Sequence, residues 1–263
     1  MATQKKTLKF LKDVTTTRHI SMLTCYDFMF AQLMDASEID CVLVGDSVGT
    51  NVLGYDSEQE VTLADMIHHT KAVARGINTA LIIADLPYLT YQTPEQALAS
   101  AQQLIDAGAD AVKFEGFFPE IVSYLFKHGI QVVSHLGLLP QTAQKKQLQA
   151  TDDASIQELY DQAHVLEQRG ALMLIVELIP EEVAHVLTQK LAIPVVGIGA
   201  GRFCNGQVQI VYDVLGITKK QYKHVNRFFA LRERLIETFT AYRKRVESCN
   251  YLDITHSFHL TKV

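Results

Sequence analysis

Four acidic residues each follow a hydrophobic run of the sequence: Asp46, Asp85, Glu115 and Glu177. Carboxylates that crowd together repel one another, and their ionised forms are costly unless they share a cation or a proton. Hard oxygen ligands without cysteine favour Mg²⁺ or Mn²⁺ over zinc. We therefore predict a divalent cation site, with Asp46 and Asp85 as direct ligands and Glu115 close by, binding directly or through water.

Two further side chains, Lys113 and His135, complement these acids, and Glu177 differs from the other three. Lys113 precedes Glu115 by two residues, so both point to the same face of a strand, and its ammonium suits an anionic substrate or a salt bridge to the acids. Glu177 lies apart from the predicted cation site in a hydrophobic segment, which is typical of a general base. His135 is interpreted either as a group that polarises a substrate oxygen or as a hydrogen-bonded core residue.

These residues belong to a repeating pattern of strands and helices. Eight strands are predicted from "ISMLTCYD", "CVLVGDS", "TALIIADL", "AVKFEG", "QVVSHLG", "LMLIVELI", "IPVVGIGAG" and "QVQIVYDVLG". Helices are predicted between them, after an opening helix over residues 8–14 and before a helical segment over residues 220–248. Residues 48–61 have turn residues and no periodicity, and predict a long loop.

No linker rich in proline, glycine or serine interrupts this pattern, so residues 1–263 are predicted to form one domain. The predicted fold is α/β, a single (β/α)₈ TIM barrel with an N-terminal helix and an extra C-terminal helical segment. A doubly wound open sheet is the main alternative, but it predicts charged residues at one switch point. Here the acids recur at four strand ends, which favours a ring.

The acids have a simpler interpretation, in which each one only caps the helix that follows it. For a single acid, this interpretation is as good as a functional one. Four acids at strand ends, accompanied by Lys113 and His135, favour a shared site.

The composition limits the classes of partner. The net charge is −5 and the basic clusters are short, which argues against nucleic acid as an obligatory partner. No segment approaches the roughly 18 apolar residues that a membrane helix needs, and no secretory signal is visible. The four cysteines show no C-x-x-C spacing and are interpreted as reduced structural thiols. These features predict a cytoplasmic protein without a nucleic-acid or membrane partner.

The motifs, taken together, resemble those of the ketopantoate (3-methyl-2-oxobutanoate) hydroxymethyltransferase family. They occur in the family's order and cover most of the chain: "TCYD", "VLVGDSVG", "VTLADMIHHTKAVARG", "ADLPY", "TPEQA", "AGADAVKFEG", "SHLGLLPQ", "IPVVGIGAG" and "HSF". The resemblance implies a barrel of the phosphoenolpyruvate/isocitrate-lyase type. It also implies Mg²⁺-dependent transfer of a one-carbon unit from 5,10-methylenetetrahydrofolate to 3-methyl-2-oxobutanoate, and a homo-oligomer, a decamer in this family.

The same resemblance implies roles for individual residues. Asp46, Asp85 and Glu115 match the family's metal residues. Asp46, Ser47, Asp85 and Lys113 match its contacts with the keto acid, and Glu177 matches its proton acceptor.

One segment departs from the family's pattern. After "HLGLLPQ" the family has a glycine-rich segment, whereas this chain has the shorter "TAQKKQLQATDD" over residues 142–153. The segment follows the fifth predicted strand, so it affects folate binding or closure of the barrel mouth. Two alternatives therefore stay open: a related Mg²⁺-dependent 2-oxo acid aldolase or lyase with a different donor, and a non-catalytic paralogue.

Overall fold

The computed structural model describes residues 4–260, and its central feature is a closed barrel of eight parallel strands. The strand order follows the chain, and the first strand pairs with the last to close the barrel. The predicted TIM barrel is therefore confirmed. The strands are β1 Ile20–Thr24, β2 Cys41–Val44, β3 Leu81–Asp85, β4 Ala111–Glu115, β5 Val132–Gly137, β6 Met173–Glu177, β7 Val195–Ile198 and β8 Gly206–Gln209.

Helices connect the strands on the outside of this barrel and begin at residues suited to that position. Thr62 and Asp65 form a reciprocal capping box at the start of the helix Leu63–Ala74, and Thr93 caps the helix Pro94–Asp106 just before its first residue, a proline. The helices are α1 Leu8–Val14, α2 Phe28–Ala36, α3 Leu63–Ala74, α4 Pro94–Asp106, α5 Pro119–Lys127, α6 Asp153–Gln168, α7 Glu181–Lys190, α8 Val211–Val214 and α9 Leu231–Glu247. None of the helices within residues 4–260 is long and apolar enough to cross a membrane.

The opening helix closes the amino end of the barrel. Leu8 and Leu11 of α1 are buried in the same hydrophobic cluster as Ile20, Cys41 and Leu81, which are the first residues of β1, β2 and β3. Apolar side chains therefore fill this end, and the opposite end of the barrel is left for polar side chains.

Strand register places the predicted site residues inside the barrel. Residues of one strand that are two positions apart point to the same face. Ile83, Ala111, Val133 and Ile175 all belong to the interior cluster. Counting in steps of two from these four residues leads to Asp85, to Lys113 and Glu115, to His135, and to Glu177.

The turn-rich segment that follows β2 is more regular than predicted. Residues 48–61 contain a short π-helical turn, Gly49–Leu53, and a 3₁₀ turn, Glu58–Glu60. The 3₁₀ turn has its own capping box between Ser57 and Glu60. The prediction of a loop without regular structure was therefore incomplete.

The predicted eighth strand and last helix are both present but shorter than predicted. The strand predicted from "QVQIVYDVLG" ends at Gln209, because the chain turns there and Val211 donates a hydrogen bond to Thr24 Oγ1. The helix predicted over residues 220–248 begins only at Leu231. Its first part is instead a loop, in which the Arg227 side chain donates hydrogen bonds to the carbonyl oxygens of residues 218 and 220.

The chain divides into two compact units, one that ends at Val211 and one that begins at Tyr212. The first unit contains the whole barrel. The second contains α9, which has no buried residue, and the 3₁₀ turn Ile254–His256. The single domain over residues 1–263 stays a prediction.

Candidate active site

Three carboxylates meet at the carboxyl end of neighbouring strands. Asp85 and Glu115 are the last residues of β3 and β4, and Asp46 follows β2 after a glycine. All three side chains are buried. The backbone N–H of Asp46 donates to Asp85 Oδ2 over 3.1 Å, so the ends of β2 and β3 are joined directly.

One lysine lies among these acids. The register pairs Asp85 with Lys113, and the Lys113 Nζ lies 2.9 Å from Asp85 Oδ1 in an ion pair whose side chains are 4% and 2% exposed. Burial on its own would lower the pKa of Lys113, but the carboxylates of Asp85, Glu115 and Asp46 together raise it. The lysine is therefore positively charged at neutral pH.

A single lysine does not neutralise three acids. Burial raises the pKa of Asp46, and the neighbouring charge of Asp85 raises it further. Burial likewise raises the pKa of Glu115 well above its ordinary range, with Asp46 adding to the effect. Both carboxylates would become easier to ionise beside an additional cation.

A glutamine that the sequence analysis did not select joins two of these acids. Gln141 is fully buried in the segment after β5. Its backbone N–H donates to Glu115 Oε2 over 2.9 Å, and its side-chain Nε2 donates to Asp46 Oδ2 over 2.6 Å. The only sequence signal was its place at the end of the "SHLGLLPQ" motif.

The next two strands contribute a histidine between two acids. The register places His135 of β5 beside Glu115, and its Nδ1 lies 3.7 Å from Glu115 Oε1. Its Nε2 lies 3.6 Å from Glu177 Oε2, at the end of β6. These distances exceed those of hydrogen bonds. Burial lowers the pKa of His135 well below its ordinary value, with Lys113 adding to the effect, so the imidazole is neutral at pH 7.

Glu177 has the pKa expected for a base that works near neutral pH. Burial raises the pKa of this carboxyl to about 7, although the charges of Lys113 and Lys146 lower it. A close backbone approach holds its strand against β5. Gly137 has a φ of +89° there, and a Cβ atom at this position would lie 2.3 Å from the Glu177 carbonyl oxygen.

Ser47 is the remaining residue that the sequence selected. It lies directly after Asp46, and its hydroxyl oxygen is 2.9 Å from the hydroxyl oxygen of Tyr26. The structure therefore brings Ser47 to the same strand end as Asp46, where a second hydroxyl fixes its side chain.

None of the acids caps the helix that follows its strand. The N-cap residues of α3, α4, α5 and α7 are Thr62, Thr93, Phe118 and Pro180. Within residues 4–260, no group of three or more histidine, cysteine, aspartate or glutamate side chains is arranged so that it could hold a metal ion. The carboxylates therefore lie close together without forming a complete set of metal ligands.

Comparison with known proteins assigns the chain to a family. The sequence profile of ketopantoate hydroxymethyltransferase matches residues 4–253. A 3-methyl-2-oxobutanoate hydroxymethyltransferase from Thermoanaerobacter sp. (strain X514) is 41% identical over 270 residues, which covers 100% of this chain and 98% of the relative. The chain belongs to the ketopantoate hydroxymethyltransferase family. The resemblance predicted from the motifs is thus confirmed.

Solved structures of more distant proteins share the fold of this family member. A phosphonopyruvate hydrolase, solved as a complex with oxalate and Mg²⁺, aligns with a TM-score of 0.66 at 10% identity and covers 95% of this chain and 93% of its own. A 2,3-dimethylmalate lyase, described as a member of the PEP mutase/isocitrate lyase superfamily, aligns with a TM-score of 0.60 at 16% identity, with 95% and 91% covered. At these identities, the likeness establishes the barrel fold.

The segment that departs from the family's sequence pattern lies over the carboxyl ends of β5 and β6. Together with the end of β5, it lines a cavity of about 520 Å³. The N–H of Gln149 donates to the Leu178 carbonyl oxygen, and Lys146 pairs with Glu58 at 3.3 Å. In this family member, the loop after β5 lacks glycine and contacts both the residue after β6 and the 3₁₀ turn that follows β2.

Proposed function

We propose that this protein transfers a hydroxymethyl group from 5,10-methylenetetrahydrofolate to 3-methyl-2-oxobutanoate and forms 2-dehydropantoate (ketopantoate) for pantothenate biosynthesis. Family membership over nearly the whole chain supports this reaction. The observation that carries the proposal is a partly buried carboxyl, Glu177, with a pKa of about 7 on the same rim as a separate group of acids. That arrangement suits removal of a proton from the carbon next to a ketone.

We further propose that Asp46 and Asp85 hold Mg²⁺, with Glu115 beside them. The donor set fits this ion, because Mg²⁺ is usually held by one or two carboxylates and leaves its other positions to water and substrate. The raised pKa values of Asp46 and Glu115 also favour a compensating cation. Bound there, Mg²⁺ would supply a Lewis acid for the 2-oxo group of the substrate.

The chain's own residues then divide the remaining work. Lys113 stays charged in its pair with Asp85 and attracts the carboxylate of the keto acid, while the Ser47 hydroxyl contacts the same substrate. Glu177 removes the proton from C3, a type of step that contributes about 10²–10⁴-fold to a rate. Neutral His135 donates its ring N–H to a substrate oxygen, and its Nε2 lies 3.6 Å from Glu177 Oε2, too far for a hydrogen bond to the base.

Deuterium exchange at C3 of 3-methyl-2-oxobutanoate in D₂O tests the proposed proton removal by Glu177 without the folate. We expect exchange that depends on Mg²⁺, and we expect Glu177→Gln to slow it by about 10²–10⁴-fold because an amide cannot accept the proton. Folded protein that binds Mg²⁺ and exchanges no deuterium would identify a non-catalytic paralogue. Exchange without ketopantoate when 5,10-methylenetetrahydrofolate is added would identify the alternative 2-oxo acid aldolase or lyase.

We also propose that the protein works in the cytoplasm as a homo-oligomer, a decamer by family resemblance. Helix α9 supports association, because it buries none of its residues and exposes Ile236, Phe239, Tyr242 and Val246 at helical spacing. Light scattering of the purified protein would give the number of chains, and a monomer would contradict this proposal.

A further inference from the structure

Gln141 connects the ends of three strands through its hydrogen bonds. Its backbone N–H donates to Glu115 Oε2 at the end of β4, and its Nε2 donates to Asp46 Oδ2 after β2. The same Nε2 donates to the Leu86 carbonyl oxygen over 3.1 Å, directly after β3. Hydrogen bonds to ionised carboxylates are stronger and better directed than those between neutral groups. Gln141 therefore orients Asp46 and Glu115, and it is held next to Asp85 by its hydrogen bond to Leu86.

The amide of Gln141 is itself fixed in one orientation. The Tyr91 hydroxyl donates to Gln141 Oε1, and Gln59 Nε2 donates to the Gln141 carbonyl oxygen over 2.6 Å. A reversed amide would place Oε1 against the Asp46 carboxylate and lose the donor to it. The environment thus selects the orientation in which a donor points at Asp46.

The partner that fixes this amide is itself immobilised by packing. The ring of Tyr91 lies 5.3 Å from that of Phe114 and 5.8 Å from that of Phe118, measured between centroids. The side chain is buried, and its hydroxyl is held between Gln141 and the Glu115 carbonyl oxygen. Packing thus fixes the Tyr91 ring, the Tyr91 hydroxyl fixes the Gln141 amide, and the amide in turn fixes the Asp46 carboxylate.

We propose that Gln141 is a positioning residue that sets the directions of the Asp46 and Glu115 carboxylates before a divalent cation arrives. This inference rests on the cation site of the proposed function. It adds that the segment after β5, which supplies none of the proposed ligands, determines how well the ends of β2 and β4 bind the ion. Partners that orient metal ligands in this way typically contribute about 10- to 100-fold in metal affinity or activity.

Mn²⁺ binding without substrate, followed by electron paramagnetic resonance, tests this proposal. Gln141→Met keeps the backbone N–H and the approximate volume of the side chain, and it removes the donor to Asp46. We expect its affinity for Mn²⁺ to fall by about 10- to 100-fold. Tyr91→Phe removes only the hydroxyl that fixes the amide, so we expect a smaller loss and a broadened spectrum of bound Mn²⁺. Gln103→Met is the matched control, because Gln103 is exposed on α4 and its side-chain Nε2 donates to the carbonyl oxygen of Ala99 in the same helix.

The outcomes separate this proposal from a purely structural role and from the proposed function. If Gln141→Met and Tyr91→Phe both bind Mn²⁺ as tightly as the wild type and give its spectrum, the positioning role is overturned. Should Gln141→Met fail to fold, Tyr91→Phe alone decides between a positioning role and a purely structural role of Gln141: weaker Mn²⁺ binding supports the first, and unchanged binding overturns it. Wild-type protein that binds neither Mn²⁺ nor Mg²⁺ would overturn the cation site, and this inference with it. Weaker binding by both variants with an unchanged Gln103→Met supports the proposal.

Discussion

The two halves of the barrel rim are built differently. In the acidic half, formed by Asp46, Asp85, Glu115 and Lys113, the charged groups are joined by hydrogen bonds and an ion pair of 2.6–3.1 Å. In the base half, formed by His135 and Glu177, the closest polar atoms are 3.6 Å apart. The acidic half is therefore assembled before any ligand binds, whereas the base half has polar groups available for a substrate.

This difference follows from what each half has to do. A site for a cation requires carboxylates at fixed positions, because their mutual repulsion would otherwise separate them. A base that removes a proton from carbon has to keep its lone pair accessible, and strong hydrogen bonds to it would lower its pKa. The chain meets the first need with Lys113 and Gln141, and the second by partly burying Glu177 with His135 Nε2 no closer than 3.6 Å.

Removing the lysine from the acidic half should have the largest effect. Lys113→Met leaves Asp85 buried beside two further acids without its cation. Breaking a buried ion pair by removing one partner costs about 3–5 kcal/mol, so we expect the free energy of unfolding in urea to fall by that amount. Lys71→Met, on the exposed side of α3, is the control and should change little. Stability within about 1 kcal/mol of the wild type would show that the acidic half does not depend on this pair.

At saturating Mg²⁺, which favours the ionised forms of Asp46 and Glu115, the pH dependence of exchange should report the base half. Glu177 must be deprotonated to act, and burial raises its pKa to about 7. The kcat/KM for deuterium exchange should therefore rise about tenfold per pH unit below that value and level off above it. His135 does not titrate in this range, because burial lowers its pKa well below the ordinary value. A profile already flat from pH 5.5 would mean that Glu177 is not the base, or that its burial is lost in solution.

The sequence was sufficient to predict the barrel and most of the charged rim residues. Their positions follow from a local rule, since a residue two places beyond a core residue of the same strand also points inward. Asp85, Glu115, His135 and Glu177 each obey it. The roles assigned to these residues stay predictions until the variants are measured.

Gln141 was missed because its function depends on partners that are distant in the chain. Asp46 is 95 residues away, and Gln141 itself lies in a polar segment without periodicity. The same limit explains the error before α9. The sequence there favours a helix locally, but the Arg227 side chain binds backbone carbonyl oxygens of a loop instead. Contacts of this kind depend on the folded path of the chain and leave no regular spacing in the sequence.

The smallest expected effect comes from the loop after β5, where a lysine influences the pKa of Glu177. Lys146 pairs with Glu58 at 3.3 Å, and its charge lowers the pKa of Glu177. Lys146→Gln should therefore shift the pH profile of exchange upward, and 1 M salt should reduce the difference from the wild type because it screens partly exposed charges. The side chain of Lys146 is 51% exposed, so stability should change by no more than about 1 kcal/mol.

Lys145→Gln is the matched control for this last prediction, because it removes the same charge from the adjacent position of the same loop. If only the Lys146 variant shifts the profile, the effect comes from a specific approach of this lysine to the base. Equal shifts in both variants would mean that the base senses the net charge of the loop, and the distinction between a fixed acidic half and a tunable base half would then lose this support.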